Sequence, residues 1–113
     1  MKNPDVEIAS LAKNANEALI LAILARGDSH GYKIAVEIEE RSNGMFTFNH
    51  GTLYPILHKL EKEGLIKSIW KSGETKRKRK YYTLTPAGKT YWSQLRIGWQ
   101  EFMDRFSEII GRK

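Results

Sequence analysis

The stretch from Gly51 to Ile66 constrains this chain more than any other. Leu53, Ile56, Leu57 and Leu60 recur at i, i+3, i+4 and i+7, the spacing of one buried helical face. Asn49 ahead of them is a good N-cap, and Gly64 behind them supplies a left-handed stop. The chain then reads as a strand from Ile66 to Lys71, a cationic turn from Ser72 to Lys80, and a second strand from Tyr81 to Leu84. Pro55 is tolerable because the carbonyl its ring would strike belongs to Gly51, in the opening turn. Helix, strand, basic turn and strand together outline a winged helix-turn-helix, which sets a helix in a DNA groove and a cationic wing on the phosphates beside it.

The other segments fit that outline. A first helix is expected over Glu7 to Arg26, with Ile8, Leu11, Ala15, Leu19, Ala22 and Ile23 at helical spacing, ending at Gly27. A second helix is expected after the caps Asp28 and Ser29, with Tyr32, Ala35 and Ile38 on one face, and Ser42-Asn43-Gly44 breaks it. Met45 to Phe48 reads as an extended connector. Thr85-Pro86 opens a last helix as N-cap and first-turn proline, running to about Gly111. The fold class is therefore mainly α with a small β-hairpin. Residues 1–85 form the winged unit and 86–113 the final helix, as one compact whole.

That final helix carries a second signal. Trp92, Leu95, Trp99, Phe102, Phe106 and Ile109 step by 3, 4, 3, 4 and 3 residues, a heptad seam. Leaving such groups in water costs roughly 1.5–3 kcal/mol each relative to burial. A second copy of the chain would cover them, so a homodimer is expected with this helix as its main interface.

Composition narrows the function. The chain has 113 residues, a net charge of +6 and no cysteine. One domain is the natural expectation, and disulfides and thiolate metal sites are excluded. From Lys71 to Lys80 there are six cations against the single acid Glu74, so most of the excess charge sits in one hairpin. A basic balance of this kind favours nucleic acid or an anionic membrane as partner. The longest apolar run, Ala18 to Ala25, falls well short of the roughly 20 residues a bilayer requires. No membrane association, no secretory signal and a cytoplasmic location are expected. His50 and His58 lack a third ligand at metal spacing, no glycine-rich phosphate loop follows a strand, and no nucleophile–base pair stands out. Neither a metal, a cofactor nor an enzymatic activity is expected.

The residues expected to face DNA are Asn49, His50, Thr52, Tyr54, Pro55, His58 and Lys59 on the third helix, with Tyr32 and Lys33 at the start of the second. Lys76, Arg77, Lys78, Arg79 and Lys80 form the wing. The outer face of the third helix offers short hydrogen-bonding and stacking groups in place of a Glu/Lys lattice. Tyr32 reads equally as a packing residue, and Trp70 as packed beneath the wing. Glu61 and Glu63 read as solvated surface.

His30-Gly31-Tyr32-Lys33-Ile34, Gly51 to Leu57, Leu60 to Ile66 and Lys80 to Gly88 together resemble the PadR family of transcriptional regulators, and the resemblance runs from about Leu19 to Ile110. The single last helix is similar to that of the short subfamily. The resemblance implies a dimeric repressor on an operator of two inverted half-sites. It also implies a flat aromatic effector held in a cavity between subunits, where Trp99, eleven residues after Gly88, matches a ligand-stacking tryptophan. Leu95, Met103, Ala15 and Ala18 match other cavity-lining positions. Met103 departs from the acid that some drug-binding relatives carry there, which argues against carrying over a preference for cationic ligands. Trp99 also reads as a plain seam residue filling its own space. An aromatic-ligand binder with DNA secondary and a protein-interaction scaffold are the competing functions.

Overall fold

The computed structural model describes residues 8–72 and 77–111, with the side chains of the first helix described from Ala15 on. The order is α1 (Ile8–Arg26), β1 (Ser29–His30), α2 (Gly31–Arg41), α3 (His50–Lys62), β2 (Ile66–Ser72), β3 (Lys78–Leu84) and α4 (Pro86–Ile110). The strands form one antiparallel sheet in the order β1-β3-β2.

Cap chemistry sets most boundaries. Asn49 Oδ1 accepts from the Thr52 N–H at 2.9 Å and starts α3. Gly64, at φ +78°, ends the α3 turn in the left-handed region. Thr85 Oγ1 accepts from the Gly88 N–H at 3.0 Å and donates to the Gly64 carbonyl at 2.6 Å. The start of α4 is thereby stitched to the turn after α3. Gly88 closes that seam, because a Cβ there would overlap the Leu65 carbonyl.

The core gathers Ile20, Leu21 and Leu24 of α1, Ile34 and Ile38 of α2, Leu53, Leu57 and Leu60 of α3, and Ile66, Tyr82 and Leu84 of the sheet. Each such side chain, fully buried, contributes roughly 1.5–3 kcal/mol. The α3 face expected from spacing is the buried one, with Ile56 only partly covered.

Four expectations are corrected. The α2 face that enters the core is Gly31, Ile34 and Ile38, and Tyr32 is 66% exposed. Gly31 lets the Tyr54 ring approach the helix backbone directly, and with Gly31, Ile34 and Ile38 facing inward the next position, Tyr32, falls off that face. The cap of α2 is His30 in place of Asp28 or Ser29, because Ser29 is drawn into β1 opposite Tyr82. The wing strand β3 begins at Lys78, so Lys78, Arg79 and Lys80 pair with Ser72, Lys71 and Trp70 and are not turn residues. Trp70 is 66% exposed and does not pack beneath the wing, and its strand neighbours Ile69, Lys71 and Ser72 are exposed with it.

α4 changes character along its length. Trp92 and Leu95 rest on the chain's own core, while Phe102, Met103, Phe106 and Ile109 are exposed. Trp99 meets Phe102 edge-on at 5.5 Å, and Phe102 stacks on Phe106 at 5.9 Å. No described helix is long and apolar enough to cross a membrane.

Candidate nucleic-acid interface

α3 presents His50, Thr52, Pro55 and His58 to solvent, and Tyr54 is half-buried between them and α2. His50 stacks on Tyr54 at 5.3 Å, and Tyr54 meets His58 at 6.5 Å, so three aromatic rings run along one face of the helix. Asn49 spends its side-chain oxygen on the cap. Thr52 is exposed in the first turn. Such a face offers hydrogen-bond donors, acceptors and ring edges, the kinds of group that read base edges in a major groove.

Lys59 is placed differently from its neighbours. Its ammonium lies 2.9 Å from the Glu17 carboxylate of α1 and 2.9 Å from Glu63. The hydrogen bonds it donates to Glu17, and next to Glu63, hold its pKa above the ordinary lysine value. Sequence reading missed Glu17, whose only local signal is an acid directly ahead of the apolar run of α1.

Beside α3 a groove of about 580 Å³ opens between the start of α2 and the hairpin. His30, Tyr32, Tyr54 and Trp70 supply its rings, and Lys78, Arg79 and Lys80 its charge. Lys78 and Arg79 are exposed, as is Arg77 at the hairpin tip. Lys80 is more tied down, 4.0 Å from Glu61 and 5.6 Å from the centre of the Tyr82 ring. Glu61 in turn accepts from Ser68 Oγ at 2.7 Å, so besides being partly exposed it tethers α3 to the sheet. Lys71 lies over the Tyr81 ring at 4.6 Å. Lys33 is exposed at the first turn of α2. Lys76 lies outside the described residues.

His30 is the second residue that sequence reading missed as part of this face. Its Nδ1 accepts from the Lys33 N–H at 3.2 Å, and a guanidinium nitrogen of Arg79 lies 3.0 Å from Nε2 and 3.3 Å from Nδ1. Burial, then the positive charges of Arg79 and Lys33, hold its pKa below the ordinary histidine value.

The residues expected around an effector lie on two helices that pack together. Ala18 is buried and Ala15 half-buried on α1, Leu95 and Trp99 are half-buried on α4, and Met103 is exposed. Among the described residues, no group of three or more metal-ligating side chains is placed to hold a metal ion.

Comparison with known proteins agrees with this geometry. Residues 20–94 match the model of the transcriptional regulator PadR-like family. An uncharacterized protein of Lysinibacillus sphaericus is 36% identical over 95 residues, which cover 81% of this chain and 87% of that relative. A solved transcriptional regulator from Clostridium thermocellum is 32% identical with a TM-score of 0.74, covering 87% of this chain and 95% of that one. Bacillus subtilis PadR, solved in complex with operator DNA, is 32% identical with a TM-score of 0.65. That match covers 74% of this chain but 46% of the longer relative. The chain belongs to the PadR-like family of transcriptional regulators, a family of regulators and not of enzymes.

Proposed function

We propose that this chain is a DNA-binding repressor that acts as a homodimer on an inverted-repeat operator. The observation that carries the reading is the open outer face of α3 set beside a groove whose wall is Lys78, Arg79 and Lys80. The helix supplies base contacts and the hairpin supplies phosphate contacts, the division of labour that winged-helix docking requires. The operator complex of the Bacillus subtilis relative supports the same partner. The exposed column Phe102, Phe106 and Ile109 supports a second copy of the chain as cover for α4, and two copies would present two α3 helices to two half-sites.

Selection from a pool of randomised duplexes, followed by titration of the winner at several salt concentrations, tests the reading. An inverted repeat bound by two chains is expected, with a log–log salt slope near −5 for about six phosphate contacts. Equal affinity for cognate and random DNA would remove sequence-specific regulation.

Trp99 favours a further element, release of DNA by a planar aromatic ligand. Its indole is half-buried and meets Phe102 edge-on, a pair that a flat ring would enter by stacking. The alternative function, an aromatic-ligand binder with DNA secondary, rests on the same pair. Quenching of tryptophan emission by planar ligands, lost in Trp99→Phe, supports the pocket. Undiminished quenching in that variant sinks it.

A further inference from the structure

We propose that the groove between the start of α2 and the wing is a seat for a DNA phosphate, filled with uptake of a proton by His30. This rests on the DNA-binding reading and assigns to it a residue and a coupling that the docking of α3 does not require.

The argument begins with lone pairs. A neutral imidazole offers one acceptor nitrogen. Here two donors compete for it, the Lys33 N–H at 3.2 Å and the Arg79 guanidinium at 3.0–3.3 Å. A protonated ring has no acceptor at all, and it would stand as a third cation against Arg79 and Lys33. An anion between ring and guanidinium resolves both problems, because both groups then donate to it.

Among the described residues, the surroundings offer no internal anion. From α2, Tyr32 stacks at 6.5 Å and Lys33 contributes positive charge. From β3, Tyr81 meets the ring edge-on at 5.4 Å, Arg79 touches it, and Lys78 and Lys80 line the same groove. Tyr54 of α3 and Trp70 of β2 complete the walls. No carboxylate is among the lining residues. Glu61 reaches only as far as Lys80, and Asp28 lines a different groove beside Lys89 and Trp92.

The sign of the coupling follows. In the free protein, burial, Arg79 and Lys33 keep His30 below its ordinary pKa of 6.5, so the ring is neutral at pH 7. A phosphate brings opposite charge and raises that pKa. Between the two values the complex holds more protons than the free chain, so DNA affinity rises as pH falls through that window.

Calorimetric titration of the full chain with its selected duplex, or with mixed-sequence duplex if none is enriched, measures proton uptake. It is run at fixed salt in two buffers of different ionisation heat. Uptake of up to one proton per chain is expected between pH 6 and 8, with affinity gaining up to about tenfold per pH unit lost. His30→Asn keeps a capping oxygen for α2 but cannot titrate, and it is expected to bind with no pH slope in that range. Retained uptake in His30→Asn overturns the proposal.

The His30 ring resonances in the unaltered chain give an independent readout. A rise in its pKa on adding DNA is expected, and an unmoved titration beside tight binding overturns the proposal alone. No binding to any DNA at any pH overturns the DNA-binding reading and this inference with it. Inorganic phosphate is titrated separately. It should leave the ring unmoved, and filling of the groove by the free ion would overturn the assignment to the DNA backbone.

Discussion

Lys59 of α3 and Glu17 of α1 are joined by a contact of 2.9 Å, and the Glu17 side chain is only 6% exposed. A carboxylate so buried needs a cation, whereas the Lys59 side chain, far more exposed, has water and Glu63 to fall back on. The two halves of the pair are therefore unequal. Lys59→Met leaves a buried charge uncompensated and is expected to cost about 3 kcal/mol. Glu17→Gln removes the charge that needed pairing and should cost about 1 kcal/mol, near the worth of one hydrogen bond. Urea unfolding of both variants checks the order, and equal costs would show that Glu17 finds another partner.

Gly88 and Gly98 sit on the same helix and should respond oppositely to alanine. A Cβ at Gly88 overlaps the Leu65 carbonyl, which already accepts from the Thr85 N–H at 3.1 Å. Neither backbone can yield without opening the joint between the α3 turn and α4. Gly88→Ala is expected to destabilise by about 3 kcal/mol. At Gly98 nothing lies within 4 Å of the added methyl. Gly98→Ala is expected to stabilise the helix by about 0.5–1 kcal/mol, measured by thermal unfolding.

That joint also shows which parts of the fold were legible in advance. Asn49, Gly64 and Thr85-Pro86 act within a turn of themselves, so their roles follow from residue type and spacing. The face Leu53, Leu57 and Leu60 is legible for the same reason. β1 is not, because a two-residue strand carries no periodicity and exists only through Tyr81 and Tyr82, far along the chain. The choice of Gly31, Ile34 and Ile38 as the inward face of α2 goes with the approach of Tyr54 to Gly31, a contact between helices. In the candidate site, the basic run identified the wing, but the pairing of Arg79 with His30 and of Lys59 with Glu17 is set by tertiary approach alone.

Phe106 tests the role of α4. It is exposed, stacked on Phe102, and lies beyond the part of the helix that rests on the core. If a second copy covers it, Phe106→Glu puts a charge in the middle of an apolar seam and should yield monomers by light scattering at micromolar concentration. The winged unit should stay folded, since no core residue is touched. DNA affinity should fall sharply through loss of the second half-site. A dimer that survives Phe106→Glu would place the interface elsewhere.

The depressed pKa of His30 also makes folding pH-dependent. Its folded value lies below its unfolded value of 6.5, so the unfolded chain binds a proton more readily. The contribution is fully present above pH 6.5 and is lost as pH falls through the folded value. The unfolding midpoint of the unaltered chain should therefore drop between pH 7 and pH 5. The drop should be smaller in His30→Asn, where no ring is protonated beside Arg79 and Lys33. Identical pH profiles for the two proteins would show that the ring is solvated when charged.

Arg79 and Thr52 should separate affinity from sequence choice. Arg79 lies on the charged wall of the groove, where under the proposed docking it would meet a phosphate whatever the base sequence. Arg79→Ala is expected to weaken cognate and random duplexes alike and to reduce the salt slope by about 1. Thr52 faces outward from the first turn of α3, where a base edge would lie. Thr52→Val keeps its shape, removes its hydroxyl, and should cost about 1–3 kcal/mol on the cognate duplex with little change on random DNA. Because both side chains leave the core untouched, unfolding midpoints should match that of the unaltered chain. Equal losses on cognate and random DNA for both variants would mean that α3 binds backbone and that sequence is read elsewhere.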